Sequence, residues 1–306
     1  MMKPKISVEI GKLKLNNPVM VASGTFGYAE EFKDFMDVKK LGAIVTKTLT
    51  LKPRKGNPMP RTCETAAGML NSIGLENPGL AIFIREKLPF LKKTGVPIII
   101  SVASEEKPEE FLELVAQLNI IEEVAAIELN ISCPNIQGKE SLIAQDPAAT
   151  YKIVQEVRKI TGKTLITKLS PNVTSIGDIA QAAEDAGSDA VALINTLSAM
   201  SIDVDKRRPK IAAGIAGLSG PAIRPVAVKM VWEVFNKVKI PIIGMGGIMD
   251  TASALEFIIA GASAVSVGTA NFINPGVSLE IIAGLKEYLV KNKISDIREL
   301  MGALKI

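Results

Sequence analysis

Asn130, Ser132, Cys133 and Asn135 crowd the end of the apolar run in IELNISCPN, residues 127 to 135. Asn, Ser and Pro are ordinary turn formers at strand ends, so this stretch alone fits a plain turn as well as a set of reactive groups around a thiol. The rest of the chain narrows the chemistry. It contains no histidine, which removes Ser–His triads, His metal ligation and the imidazole base. Proton transfer must run through Cys, Lys, Asp, Glu, Tyr, a hydroxyl or water. With only two cysteines, Cys63 and Cys133, neither a disulfide framework nor a four-cysteine zinc or iron–sulfur site is expected. Cys63 sits in a long loop with no charged strand end beside it and reads as incidental.

Lys47 and Lys168 each follow apolar residues. A lysine deep in a pocket is costly unless an anion meets it; the alternative is a stem that snorkels to solvent. Glycines supply a third signal. GMGGI and VGTA leave backbone N–H groups unobstructed near helix starts, as barrels do when they hold a phosphate, although each pair alone also suits a tight turn. Neither has the G-x-G-x-x-G spacing of a dinucleotide fingerprint.

The elements that must position these groups alternate along the chain. Strand-length apolar runs, PVMVAS, AIVTKT, PIIISVA, AAIELNI, TLITKLS, AVALINT, PIIGMG and AVSVGT, alternate with segments of helical period. The helical segments include YAEEFKDFMD, KPEEFLELVAQLN, DPAATYKIVQEVRKI, SIGDIAQAAEDAG, PAIRPVAVKMVWEVFNKV, TASALEFIIAGA and VSLEIIAGLKEYLVKN. Asp146-Pro147 and Ser175 have the form of N-terminal caps, and Gly187 and Gly261 stand where C-terminal stops belong. Eight strands predict an α/β fold, a (β/α)8 TIM barrel forming one domain over residues 1–306; a doubly wound open sheet is the second option. ISVEIGKLKL predicts a short N-terminal β-hairpin closing the barrel bottom. Residues 50 to 78 and 197 to 220 are too long for plain turns and predict inserted loops with a functional role at the C-terminal face.

In such a barrel the active site forms at the C-terminal strand ends. In chain order these carry Ser23-Gly24, Lys47-Thr48, Ser101, Asn130 with Cys133, Lys168, Asn195-Thr196, Gly246-Gly247 and Gly268-Thr269. Every end is polar or glycine, which describes a polar pocket that takes a phosphate-bearing ligand with further negative charge.

Composition bounds the setting. The 306 residues, 47% hydrophobic and 22% charged, suit a soluble globular protein with a substantial core. The longest apolar run, near VPIIISVAS, falls short of the roughly 18 residues that span a membrane. MMKPKISVEIGKL lacks the apolar segment of a secretory signal, so the expected location is cytoplasmic. A net charge of +4, scattered lysines and 4% aromatics mark neither a nucleic-acid platform nor a membrane-binding patch.

ELNISCPN, NSIGLENPG, TKLSPNVT, INTLSAM, GLSGPAIRPVA, PIIGMGGI and SVGTANF, in this order and spacing, resemble the class 1 dihydroorotate dehydrogenases over nearly the whole chain. SCPN alone is shared by related flavin barrels; seven motifs in register are specific. The resemblance implies an FMN-containing barrel that oxidises (S)-dihydroorotate to orotate in pyrimidine synthesis, with Cys133 as the catalytic base. It implies flavin contacts at Ser23, Lys47, Thr48, Asn130, Lys168, Ile194, Gly220, Gly246, Gly247, Gly268 and Thr269. It implies substrate contacts at Lys47, Asn71, Ser72, Ile73, Gly74, Leu75, Asn130, Asn135, Asn195 and Thr196. One departure is Ser101, at a flavin-facing position where the family often has asparagine. A glycine, Gly138, follows in the Cys133 loop and suits a loop that opens for substrate.

INTLSAMSIDVDKRRPK and GLSGPAIRPVAVK resemble the class 1B, NAD-linked catalytic subunit more than the fumarate-using class 1A enzyme. The serine base and extra N-terminal segment of the membrane-bound class 2 enzymes are absent from this sequence. Class 1B implies a partner subunit carrying FAD and a 2Fe-2S cluster, and a homodimer of this chain within a heterotetramer. The rivals are a pyrimidine-reducing flavin barrel of the dihydropyrimidine dehydrogenase type and a tRNA dihydrouridine synthase, which needs a nucleic-acid surface. A non-catalytic phosphate-binding barrel is the third.

Overall fold

Val, Ile, Ala and Leu dominate eight short segments that are buried on both faces, the composition of parallel strands covered by helices. A computed structural model describes residues 4–105, 107–132 and 143–305; Cys133, Asn135 and Gly138 lie outside the described residues. The strands are Val19–Val21, Ala43–Val45, Ile98–Val102, Val124–Asn130, Thr164–Lys168, Ala190–Leu193, Ile242–Met245 and Ala264–Val267. They pair in parallel and in chain order, and the eighth returns to the first, Ser266 opposite Met20, so the sheet closes into a barrel. Each predicted run coincides with one of these strands, the fourth beginning one residue early at Val124, and closure rules out the open sheet.

Helices Glu109–Asn119, Pro147–Arg158, Ile176–Asp185, Arg224–Phe235, Thr251–Ala260 and Val277–Lys291 lie in the segments of helical period. Their ends follow the expected chemistry. Asp146 accepts from the Ala148 N–H at 2.9 Å with Pro147 in the first turn, and Ser175 accepts from Asp178 N–H at 3.4 Å. Gly187 and Gly261 terminate their helices at φ 99° and 124°, where a side chain would be strained.

Two segments differ from expectation. YAEEFKDFMD is not a helix but two 3-10 turns, Glu30–Phe32 and Val38–Lys40. Ala29 takes φ 66° just where a helix would begin, the Glu31 carboxylate turns back to accept the Tyr28 N–H at 3.0 Å, and Phe32 stacks on Phe26 at 4.0 Å. Burying those rings overrides the helical spacing. The helical segment between the second and third strands, Leu80–Ile82, Phe83–Lys87 with a π turn, and Leu88–Thr94, is not among the expected elements. It packs Phe83, Leu88 and Leu91 into the core.

The N-terminal hairpin, Val8–Ile10 with Leu13–Leu15, closes the barrel bottom as expected. Lys12 N–H donates to Thr164 Oγ1 at 3.2 Å and its amine to the Gly162 carbonyl at 2.9 Å, beside the start of the fifth strand. At the opposite end the two long insertions do not remain loops. Thr62–Thr65 and Gly68–Asn71 from the first join Leu197–Ala199 and Ala216–Ser219 from the second in one antiparallel four-stranded sheet. This sheet has its own small core of Leu70, Ile211 and Ala216 and roofs the C-terminal mouth. Among the described residues no helix is long and apolar enough to cross a membrane.

Candidate active site

Barrel strands end where the roof begins, and between them lies a cavity of about 530 Å³, within the usual range for small-molecule sites. Ser23, Lys47, Thr48, Asn130, Lys168, Ile194, Asn195, Thr196, Gly246, Gly247, Gly268 and Thr269 line it from the strand ends, and Asn71 to Leu75 and Gly220 from the insertions. The structure thus brings together every described site residue expected from sequence, with one exception. Ser101, expected against the flavin, does not line the cavity; it is fully buried behind Thr48, its Oγ 2.9 Å from Thr48 Oγ1. A serine is too short to reach past that threonine.

Two lysines supply positive charge at the cavity wall. Lys168, 5% exposed, ends the fifth strand beside Asn130 of the fourth and donates to Ser23 Oγ at 3.2 Å across the barrel. Lys47 is anchored by its backbone N–H to the Gly27 carbonyl at 2.8 Å. Burial pushes its amine below the ordinary lysine range, Glu76 pulls it back up, and Lys168 and Arg61 push it further down. Two lysines lining one cavity, one acting electrostatically on the other, favour an anion there.

Asparagine amides line the middle of the site. Asn195 Nδ2 donates to Ser132 Oγ, Ser132 Oγ donates to Asn130 Oδ1 at 2.7 Å, and Asn130 Nδ2 donates to Thr48 Oγ1 at 3.2 Å. Ser132, the residue before Cys133, is therefore clamped between the fourth and sixth strand ends. Asn71 to Leu75 is held from behind: Arg54 Nε donates to the Gly74 carbonyl at 2.8 Å, Asn57 Nδ2 to Ser72 Oγ at 2.7 Å, and Asn77 Nδ2 to the Leu75 carbonyl at 2.7 Å. Arg54 pairs in turn with Glu105 at 2.8 Å.

Glycine geometry at the seventh and eighth strand ends suits a phosphate. Gly246 and Gly247 take φ 126° and 74°, and a Cβ on Gly247 would lie 2.8 Å from the Gly220 carbonyl oxygen. A Cβ on Gly268 would meet nothing closer than 3.7 Å, so any side chain there would occupy cavity space. Thr269 Oγ1 donates to Ser219 Oγ at 2.8 Å, tying the eighth strand end to the roof. These glycines line the same cavity as Lys168 and suit a phosphate-bearing ligand.

The sequence reading missed Asn57, Asn172, Ser219 and Gln145, all of which line the cavity. Asn172 and Ser219 stand inside quoted motifs, TKLSPN and GLSGPA, so motif context could have found them. Asn57 and Gln145 carry no local signal, because only the roof and the Ile143–Gln145 turn bring them in. Cys63 does not line the cavity; its Sγ donates to the Glu64 carbonyl at 3.2 Å.

The comparisons with known proteins agree with this geometry. A family model described as dihydroorotate dehydrogenase matches residues 5–289. A protein of Trichlorobacter lovleyi is 54% identical over 304 residues, 99% of this chain and all of its own. One of Geotalea daltonii is 54% identical over the full length of both, and one of Thermoanaerobacter pseudethanolicus 52% over 98% of this chain and 99% of its own. Each is named dihydroorotate dehydrogenase B (NAD(+)), catalytic subunit. With a closed eight-stranded barrel, a family match over residues 5–289 and relatives more than 50% identical along nearly the whole chain, the chain belongs to the dihydroorotate dehydrogenase family.

Proposed function

We propose that residues 1–306 act as one FMN-binding domain that oxidises (S)-dihydroorotate to orotate in de novo pyrimidine biosynthesis. The observation that supports this most is the convergence of Lys47, Lys168, Asn130, Asn195 and the Asn71–Leu75 loop on a single cavity beside the glycine cradle. Dihydroorotate is a cyclic imide with a carboxylate. Asparagines offer it paired donors and acceptors, and Lys47 a cation for its carboxylate.

Forming the C5=C6 double bond requires a proton to leave C5 and a hydride to leave C6. In a chain without histidine, Cys133 takes the C5 proton as thiolate. FMN, when bound, supplies the acceptor for the C6 hydride. Lys168, held against Ser23, sets positive charge where the flavin gains negative charge. Lys47 links the two ligands, Asn71 to Leu75, Asn130, Asn135, Asn195 and Thr196 orient the substrate, and the roof excludes water.

The names of the relatives support NAD as the final acceptor. The class 1B resemblance implies that electrons leave through a partner subunit carrying FAD and a 2Fe-2S cluster, in a heterotetramer built on a homodimer of this chain, and two cysteines, too few for a four-cysteine cluster here, are compatible with that. The setting is the cytoplasm.

The test is anaerobic mixing of the flavin-loaded protein with dihydroorotate, following the visible flavin absorbance, beside Cys133→Ala. Rapid bleaching in the wild type and severe slowing in the variant are expected. A yellow protein that does not bleach sinks the substrate assignment.

A further inference from the structure

Hydrogen bonds across the cavity floor form one series, and its first step has a single allowed sense. Thr196 N–H, which can only donate, bonds Asn195 Oδ1 at 2.8 Å. That fixes the Asn195 amide, so its Nδ2 must face and donate to Ser132 Oγ. Ser132 Oγ donates to Asn130 Oδ1, Asn130 Nδ2 donates to Thr48 Oγ1, and the Thr48 and Ser101 hydroxyls lie 2.9 Å apart, where either can be the donor. Amide orientation is decided by such partners alone. Ser101 ends the series: it is fully buried behind Thr48, which itself lines the cavity, and is the hydroxyl partner that Thr48 has on the side away from it.

We infer that Ser101 is a positioning residue for ligand recognition: by accepting the Thr48 proton it holds Thr48 as the acceptor for Asn130, so that Asn130 turns its remaining Nδ2 hydrogen towards the cavity. The site then offers a donor to a carbonyl or carboxylate oxygen of the bound imide. Without Ser101, the Thr48 proton loses that partner and turns towards the cavity that Thr48 lines, and Asn130 loses its fixed acceptor. This rests on the proposed function, since the ligand used to test it is the expected product.

The experiment is a double-mutant cycle on the flavin-loaded protein, with orotate affinity read from the change in flavin absorbance. Ser101→Ala, Thr48→Val and the double variant are compared, with thermal unfolding as the fold control. Ser101→Ala is expected to weaken orotate roughly threefold to tenfold and to raise KM for dihydroorotate more than it lowers kcat. In the Thr48→Val background it should have almost no further effect, because the residue acts through Thr48. If Ser101→Ala does not fold, Ser101→Cys keeps the shape with a weak acceptor and carries the same test. Additive losses, or no loss from Ser101→Ala, overturn the inference while leaving the proposed function standing. A wild type that binds no orotate overturns both.

Discussion

Asn71 and Gly217, 146 residues apart, are register partners in the roof sheet, and Asn71 Nδ2 donates to the Gly217 carbonyl at 3.4 Å. The relationship makes the two insertions one structure and seats a predicted substrate contact against the Ala216–Ser219 strand of the second insertion. Its closeness depends on glycine: a Cβ at position 217 would lie 2.1 Å from Thr196 Oγ1. Gly217→Ala should therefore cost about 1–3 kcal/mol in urea unfolding and weaken orotate binding. Unchanged values for both would show that the roof adapts without moving Thr196.

Lys168 is tied to Ser23 rather than to a carboxylate, leaving its charge for the ligand. Lys168→Met is expected to retain flavin more weakly and to slow anaerobic bleaching by about two to three orders of magnitude. Stopped-flow reduction rates at saturating dihydroorotate decide it, and a rate within twofold of wild type would remove Lys168 from the electrostatic role.

Burial lowers the Lys47 amine below its unfolded value. The folded state thus binds fewer protons than the unfolded one between the two values, and stability rises with pH in that alkaline window. Below both values the buried charge is a full penalty. Lys47→Met should be more stable than wild type in urea at pH 7, with the difference shrinking as pH climbs towards the ordinary lysine range. The same variant should lose roughly tenfold to hundredfold in orotate affinity, as for a charge-assisted contact. A difference that widens with pH would reverse the assigned sign.

A thiol base with a free pKa of about 8.5 is only a few per cent ionised at neutral pH. Flavin reduction should accelerate by about tenfold per pH unit below that value and level off above it. Cys133→Ser should lose this limb as well as most of its rate; a parallel pH profile in the variant would assign the proton to another group.

Arg54 grips the Gly74 carbonyl and Glu105 from outside the cavity. Arg54→Ala should loosen the Asn71–Leu75 loop, raising KM for dihydroorotate roughly threefold to tenfold with a smaller change in the reduction rate at saturation. Steady-state kinetics with an artificial acceptor separate the two.

Much of the barrel was legible because its signals are local. A parallel strand buried on both faces must be apolar throughout, so PIIISVA and AVALINT announce themselves, and an N-cap such as Asp146 needs only its own next residues. The strand ends were legible as well, since the barrel places its site at one end of every strand and Lys47, Asn130 and Lys168 interrupt apolar runs there. Where the decisive contact lay elsewhere in the chain, sequence reasoning failed. YAEEFKDFMD has helical spacing, yet stacking of Phe32 on Phe26 and the left-handed Ala29 break it.

Absence of histidine, two cysteines and eight alternating apolar runs are facts of the sequence, and they determine an α/β fold, a barrel ahead of an open sheet, whose proton chemistry falls to other groups. Tertiary structure decided what a one-dimensional reading could not weigh. The insertions became a roof because Gly68–Asn71 and Ala216–Ser219 satisfy each other's backbone groups, and buried N–H and C=O groups must find partners. It also moved Ser101 from the flavin face to the end of a hydrogen-bond series. A side chain's reach is local, but which hydroxyl stands in front of it depends on the neighbouring strand.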